Sequence, residues 1–186
     1  MLLHSAFKPK ISVQPFHGIS KEVVFIVKEE LQNYYKVEIE ILPEIPLPPS
    51  CYYPPRGRYR ADKLIRFLKE NKPEDFDKII GVTSQDISTS TDKYPDFGIM
   101  GLGYLGGSSC VISDFRLKKN LKSRSQLRER IAKDALHEIG HTLGLSHCEN
   151  SETCFMQDAN GTIKTIDKES MKLCKSYQSK LRIFQN

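Results

Sequence analysis

Apolar positions change their spacing several times along the chain, and each change marks an element. Residues 11–16 (ISVQPF) read as a strand. Ser20 is placed to cap a helix, and Val23, Val24, Ile26, Val27 and Leu31 recur at helical spacing on one face. Residues 37–42 (VEIEIL) alternate apolar and charged, the pattern of a half-buried strand. Six prolines follow in PEIPLPPSCYYPP. Proline fixes its own φ and lacks a donor, so residues 43–55 are expected to form an extended loop. A second helix is predicted over residues 61–71, with Leu64, Ile65, Phe67 and Leu68 inward. A buried strand is predicted over residues 78–82 (KIIGV). Residues 97–105 (FGIMGLGYL) and 109–115 (SCVISDF) read as paired strands joined at Gly106-Gly107.

The longest predicted helix comes next. Ser123 with Gln126 three residues on is a capping-box start. Leu127, Ile131, Ala135, Ile139 and Leu143 then form one apolar stripe. His137 and His141 fall about 150° from its centre, so they face away from the buried side. Gly144 suits the left-handed turn that ends helices, and a terminal helix is expected from about Asp167. Strands alternating with helices indicate an α/β (α+β) class with layered packing.

Composition narrows the class. With 186 residues, 39% hydrophobic and 27% charged, the chain suits a single domain spanning 1–186 with a real core. There is no run of 18 apolar residues, and MLLHSAFKPK lacks the pattern of a secretory leader, so no membrane association and a cytoplasmic location are expected. The net charge of +5 is modest. Its densest stretch runs from Arg116 to Lys133 and includes Lys118, Lys119, Lys122, Arg124, Arg128 and Arg130. No nucleic-acid motif accompanies it, so it reads as a solvated linker and the exposed face of a helix, with no nucleic-acid partner. The expected state is a monomer.

The chemistry concentrates in HEIGHTLGLSH, residues 137–147, which fits H-E-x-x-H-x-x-G-x-x-H. His137 and His141 lie one turn apart on one helix face and can reach one ion. Gly144 lets the chain fold back, so that His147 arrives as a third ligand. Three imidazoles suit a catalytic zinc with a fourth position for water, and Glu138 is the candidate general base. Met156, nine residues past His147, is the candidate methionine turn beneath the metal. Five cysteines are present; Cys148, Cys154 and Cys174 cluster behind the histidines and suggest metal ligation.

With these motifs the chain resembles the archaemetzincin family. Cys148 directly follows the third histidine, Cys154-Phe155-Met156 supplies a Cys-x-Met, and Cys174 stands at the family spacing. RGRYRADKLIRFL (56–68), GVTSQDI (81–87) and SDFRL (113–117) are also similar to family segments. The resemblance implies a metzincin-like compact domain: a twisted mixed sheet, an active-site helix within an N-terminal lobe (1–144) and a small C-terminal subdomain (145–186). It also implies a zinc metallopeptidase acting on peptides or proteins, with an aminopeptidase-like preference; the alternative is a catalytically weak zinc-stabilised binding module. The strand at 97–105 would line the cleft, with Gly98, Gly101 and Gly103 admitting substrate backbone. Two departures stand out. Five residues separate Cys148 from Cys154 where the family has four, and Tyr177 replaces the last cysteine of the set that holds a second, structural zinc. Three outcomes stay open at Cys148, Cys154 and Cys174: a zinc with a fourth ligand from Cys51, Cys110, His17 or water; a weakly held ion; or apolar packing in its place.

Overall fold

The computed structural model describes residues 9–185; the segment read as lacking a leader lies largely outside them, at residues 1–8. Five strands form the main sheet, in the order β2-β1-β5-β9-β8. They are β1 (Lys10–Pro15), β2 (Glu38–Ile41), β5 (Lys78–Thr83), β8 (Gly101–Gly103) and β9 (Ser109–Ser113). All pair in parallel except β8, which runs antiparallel to β9. The central strands β1, β5 and β9 are buried almost throughout, as parallel strands covered on both faces must be.

On one face lie α1 (Lys21–Tyr35) and α4 (Arg124–Thr142), packed on Ile11, Val13, Ile80, Val82 and Ile112. On the other lies α2 (Ala61–Asn71), whose Leu64, Ile65 and Leu68 meet Phe16, Ile79 and Val111. Full burial of each such branched or aromatic side chain contributes about 1.5–3 kcal/mol. Phe67, expected inward, is only partly buried. β2 is a sheet edge rather than a half-buried strand, and Ile41 remains 39% exposed.

The predicted strand at 97–105 is two strands. β7 (Phe97–Ile99) pairs with β6 (Ile87–Thr89) in a second sheet that continues through β4 (Arg58–Arg60) to β3 (Tyr52–Tyr53), and β8 pairs with β9. The break falls at buried Met100, whose carbonyl accepts the Ser113 N–H at 2.7 Å. Two sheets thus share one glycine-rich apolar run. The following strand stops at Ser113 because its hydroxyl accepts the Phe115 N–H and caps α3 (Asp114–Leu117). The proline-rich stretch is not simply extended. It holds two 3-10 turns, Pro49–Cys51 and Pro54–Arg56, around β3 (Tyr52–Tyr53), which pairs with β4 (Arg58–Arg60). Proline suits the first position of such turns because no donor is required there.

α4 threads the middle of the molecule. Ser123 caps it as predicted, but the Gln126 side chain accepts from the Lys122 N–H instead of closing the box onto Ser123. The basic stretch is exposed at Lys118, Lys119, Lys122, Arg124 and Arg128, as expected, but Arg130 and Lys133 turn inward. Arg116 forms two bonds to Asp86 (2.7 and 3.1 Å), and Arg128 reaches Glu29 and Glu30. Arg130 is 2% exposed, doubly bonded to Asp167 (2.7 and 2.8 Å). Lys133 is buried as well. The expected terminal helix is two helices, α5 (Ile163–Lys168), capped by Thr162, and α6 (Lys175–Gln185). The turn between them carries Cys174. Among the described residues no helix is long and apolar enough to cross a membrane.

Candidate metal centre

The site begins where α4 stops. Gly144 has φ +88, and two bonds close the helix end around it: Leu145 N–H to Gly140 O and Gly144 N–H to His141 O, both 2.9 Å. That pair is the six-to-one, five-to-two pattern of a glycine-terminated helix. Leu145 is buried, which pins the reversal. The chain then returns His147 toward the last two turns of the helix.

His137, His141 and His147 come together, with donor nitrogens all within 4.8 Å of one another. The Nδ1–H of His137 donates to Phe155 O (2.7 Å), and the Nδ1–H of His141 donates to Leu145 O (2.8 Å). A carbonyl can only accept, so each ring carries its proton on Nδ1 and presents a lone pair on Nε2. Those two Nε2 atoms stand 2.9 Å apart. Two lone pairs at that distance repel unless a cation draws on both, so the donor set fits a metal ion such as zinc. Burial, then the His141 charge, lowers the His137 pKa to about 3; burial, with His147 assisting, lowers that of His141. Both rings are thereby kept in the neutral, ligating form.

The segment after His147 completes the support. Cys148 N–H donates to Met156 O at 2.7 Å, and Phe155 O holds His137 as described. Met156 is fully buried against α4: a Cβ at Gly140 would lie 2.6 Å from its Sδ. Sequence reasoning placed Met156 but missed Gly140. The signal was a glycine inside a helix, which costs about 1 kcal/mol relative to alanine and therefore needs a reason.

Glu138 is 5% exposed and its Oε2 has no hydrogen-bond partner among the described residues. Burial, reinforced by Asp134, holds its carboxyl well above the ordinary range. β8 makes the space for it. A Cβ at Gly101 would lie 2.6 Å from Glu138 Oε1, and one at Gly103 would lie 2.7 Å from Glu138 O. A Cβ at Gly98 would overlap the Arg116 guanidinium. The glycines expected to admit substrate backbone therefore admit side chains and helix of this chain. The cleft outside them has a volume of about 520 Å³ and is lined by the three histidines, Glu138 and β8.

Cys148, Cys154 and Cys174 also gather, their sulfurs within 4.8 Å of one another. Cys148 Sγ lies 3.4 Å from Cys174 Sγ, and the Cys174 N–H points to Cys154 Sγ at 3.4 Å. Burial pushes the Cys148 thiol up to about 12. For Cys174 burial acts in the same direction, but the Ser176 hydroxyl and the Tyr177 N–H outweigh it and hold the thiol below its ordinary value. Cys51, Cys110 and His17 do not join this group. Cys51 packs in the α2 core, Cys110 is buried in β9, and His17 is exposed after β1. Tyr177 is 4% exposed, and its O–H lies 2.9 Å from His147 O and 3.0 Å from Ser146 Oγ. It ties α6 to the backbone of the third histidine instead of supplying a fourth sulfur.

Comparison with known proteins identifies the family. The model of peptidase family M54 matches residues 10–183. The archaemetzincin of Archaeoglobus fulgidus is 32% identical over 174 residues, covering 93% of this chain and 99% of that protein. That of Methanocaldococcus jannaschii is 30% identical over 177 residues, covering 93% of each. The crystal structure of the A. fulgidus protein superposes with a TM-score of 0.78 over 92% of this chain and 99% of its own, at 30% identity. That of the Methanopyrus kandleri archaemetzincin, 24% identical, shares the fold with a TM-score of 0.81 over 98% of both chains. The chain belongs to peptidase family M54, the archaemetzincin family of zinc metallopeptidases.

Proposed function

We propose that this protein hydrolyses peptide bonds with a zinc held by His137, His141 and His147, and with Glu138 as general base. The observation that carries the reading is the facing pair of Nε2 lone pairs, fixed by the carbonyls of Phe155 and Leu145. A zinc bound there supplies Lewis acidity and makes water a better proton donor. Glu138 adjoins His137, and its unpartnered Oε2 is free to take that proton and return it to the departing amine. β8 is the edge of its sheet and lines the cleft, so an extended peptide can add to it as a further strand. An aminopeptidase-like preference, a cytoplasmic monomer, and a single domain with lobes at 1–144 and 145–186 belong to the same reading.

Cleavage of a peptide library by wild type and Glu138→Ala tests it. Activity in the wild type alone is expected. Equal, null activity would leave a zinc-stabilised binding module.

A further inference from the structure

Asp134 lies on α4 one turn before Glu138 and lines the same cleft. It is 6% exposed, and its buried Oδ2 has no hydrogen-bond partner among the described residues. The titratable groups that bear on it are acids or a thiol. Glu138 is on its own helix, Glu169 enters from the segment after α5, and Cys110 lies on β9. Glu169 is also 6% exposed and lines the cleft. The nearby cation, Lys133, also lines the cleft and acts on Glu169, while its Nζ donates to Ile166 O at 3.0 Å and lies 3.8 Å from Glu129; the groups acting on Asp134 do not include it. A buried carboxyl surrounded by acids and lacking a cation is unfavourable in an empty site, and a cationic ligand relieves it.

The geometry selects among cations. Among the described residues, the carboxylates of Asp134, Glu138 and Glu169 do not bring their oxygens together within 4.8 Å. A bare ion touching all three is therefore a poor match. A primary ammonium has three N–H donors and reaches oxygens that stand further apart. Ile99, Met100 and Ile166 line the cleft as well, and suit an aliphatic stem behind such a tip.

We infer that Asp134, together with Glu169, forms a subsite for a primary ammonium group of the substrate, carried on a lysine side chain or on the chain's α-amine. The assignment rests on the zinc-peptidase reading of the cleft and adds its selectivity.

Isothermal titration of the zinc-loaded protein with three hydroxamates, which anchor on zinc, tests it. N-acetyl-norleucine hydroxamate carries no ammonium, N-acetyl-lysine hydroxamate carries one on the side chain, and norleucine hydroxamate carries one at the α-position. At least one ammonium-bearing probe is expected to bind tenfold or more tightly than N-acetyl-norleucine hydroxamate, and which one does so names the source. Asp134→Asn, nearly the same in shape, should bring that ratio within twofold; the ratio is taken within each variant, so a general change in hydroxamate affinity cancels. Glu169→Gln should reduce it in smaller measure. Equal affinities in the wild type, or a preference that survives in both variants, would overturn the subsite while leaving the zinc site standing. Failure of every hydroxamate to bind would sink the zinc reading, and this assignment with it.

Discussion

A single peptide bond joins His147 to Cys148, yet the two clusters of candidate ligands on either side of it are built differently. Two of the histidines sit on one rigid helix, and the third is returned by a glycine-terminated turn. Backbone carbonyls of Phe155 and Leu145 fix the tautomers before any ion arrives. The cysteines come from three irregular segments, and Tyr177, where the resemblance implies a fourth thiol, bonds to the His147 carbonyl. The difference separates two ways of holding a metal. One is pre-set by helix geometry and backbone acceptors. The other would depend on the number of thiolates supplied, and three gather here. Tyr177 links them, because the residue standing where a fourth thiol is expected bonds the backbone of the third histidine.

The largest expected effect probes the histidine side. Glu138→Gln should lower kcat/KM on the order of 10³-fold, with zinc content unchanged, because proton transfer is lost while the ligands stay. Steady-state kinetics beside metal analysis checks this. Gly101→Ala comes next. Its Cβ would lie 2.6 Å from Glu138 Oε1, so the carboxyl must shift. The expectation is a roughly 10²-fold fall in kcat with little change in KM; a change confined to KM would instead return the glycine to substrate binding.

Smaller effects test the link between the clusters. Tyr177→Phe removes the hydroxyl from the His147 carbonyl. Zinc affinity at the histidines should weaken by about tenfold, and stability should drop by about 1 kcal/mol. Chelator competition and denaturant titration read the two. Tyr177→Cys should add a fourth thiol and raise the zinc retained per chain under the same chelator; unchanged retention would show that thiolate count is not what limits the second cluster.

The smallest effect concerns the acidic wall of the cleft, outside both clusters. Burial, opposed by Lys133, raises the Glu169 pKa to about 8. Between the ordinary carboxylate range and pH 8 the folded protein therefore holds a proton that the unfolded chain has released. Stability present at low pH is lost as pH rises through that window. Glu169→Gln should flatten the fall in Tm by a few degrees.

Much of this was legible in the sequence because local rules governed it. The four-residue spacing of His137 and His141, the glycine after them and the run of apolar strands each follow from one element's own periodicity. What was not legible depended on partners far along the chain. Met100 divides an apolar run between two sheets because β6 and β9 both offer edges. Arg130 and Lys133 look like a solvated face until Asp167 and the Ile166 carbonyl, more than thirty residues on, are folded over them. Gly101 and Gly103 suggest an opening for substrate, whereas a helix reached only after β9 fills the space they leave. Tyr177 marked a missing ligand, but its bond to His147 required α6 in place.

Metal content of the purified protein, with and without His141→Phe, is the most direct test. The account predicts at least one tightly held zinc per chain in the wild type, and one fewer in the variant. A wild-type chain that carries no zinc and takes none up when offered, or a variant that retains the full complement, would contradict it.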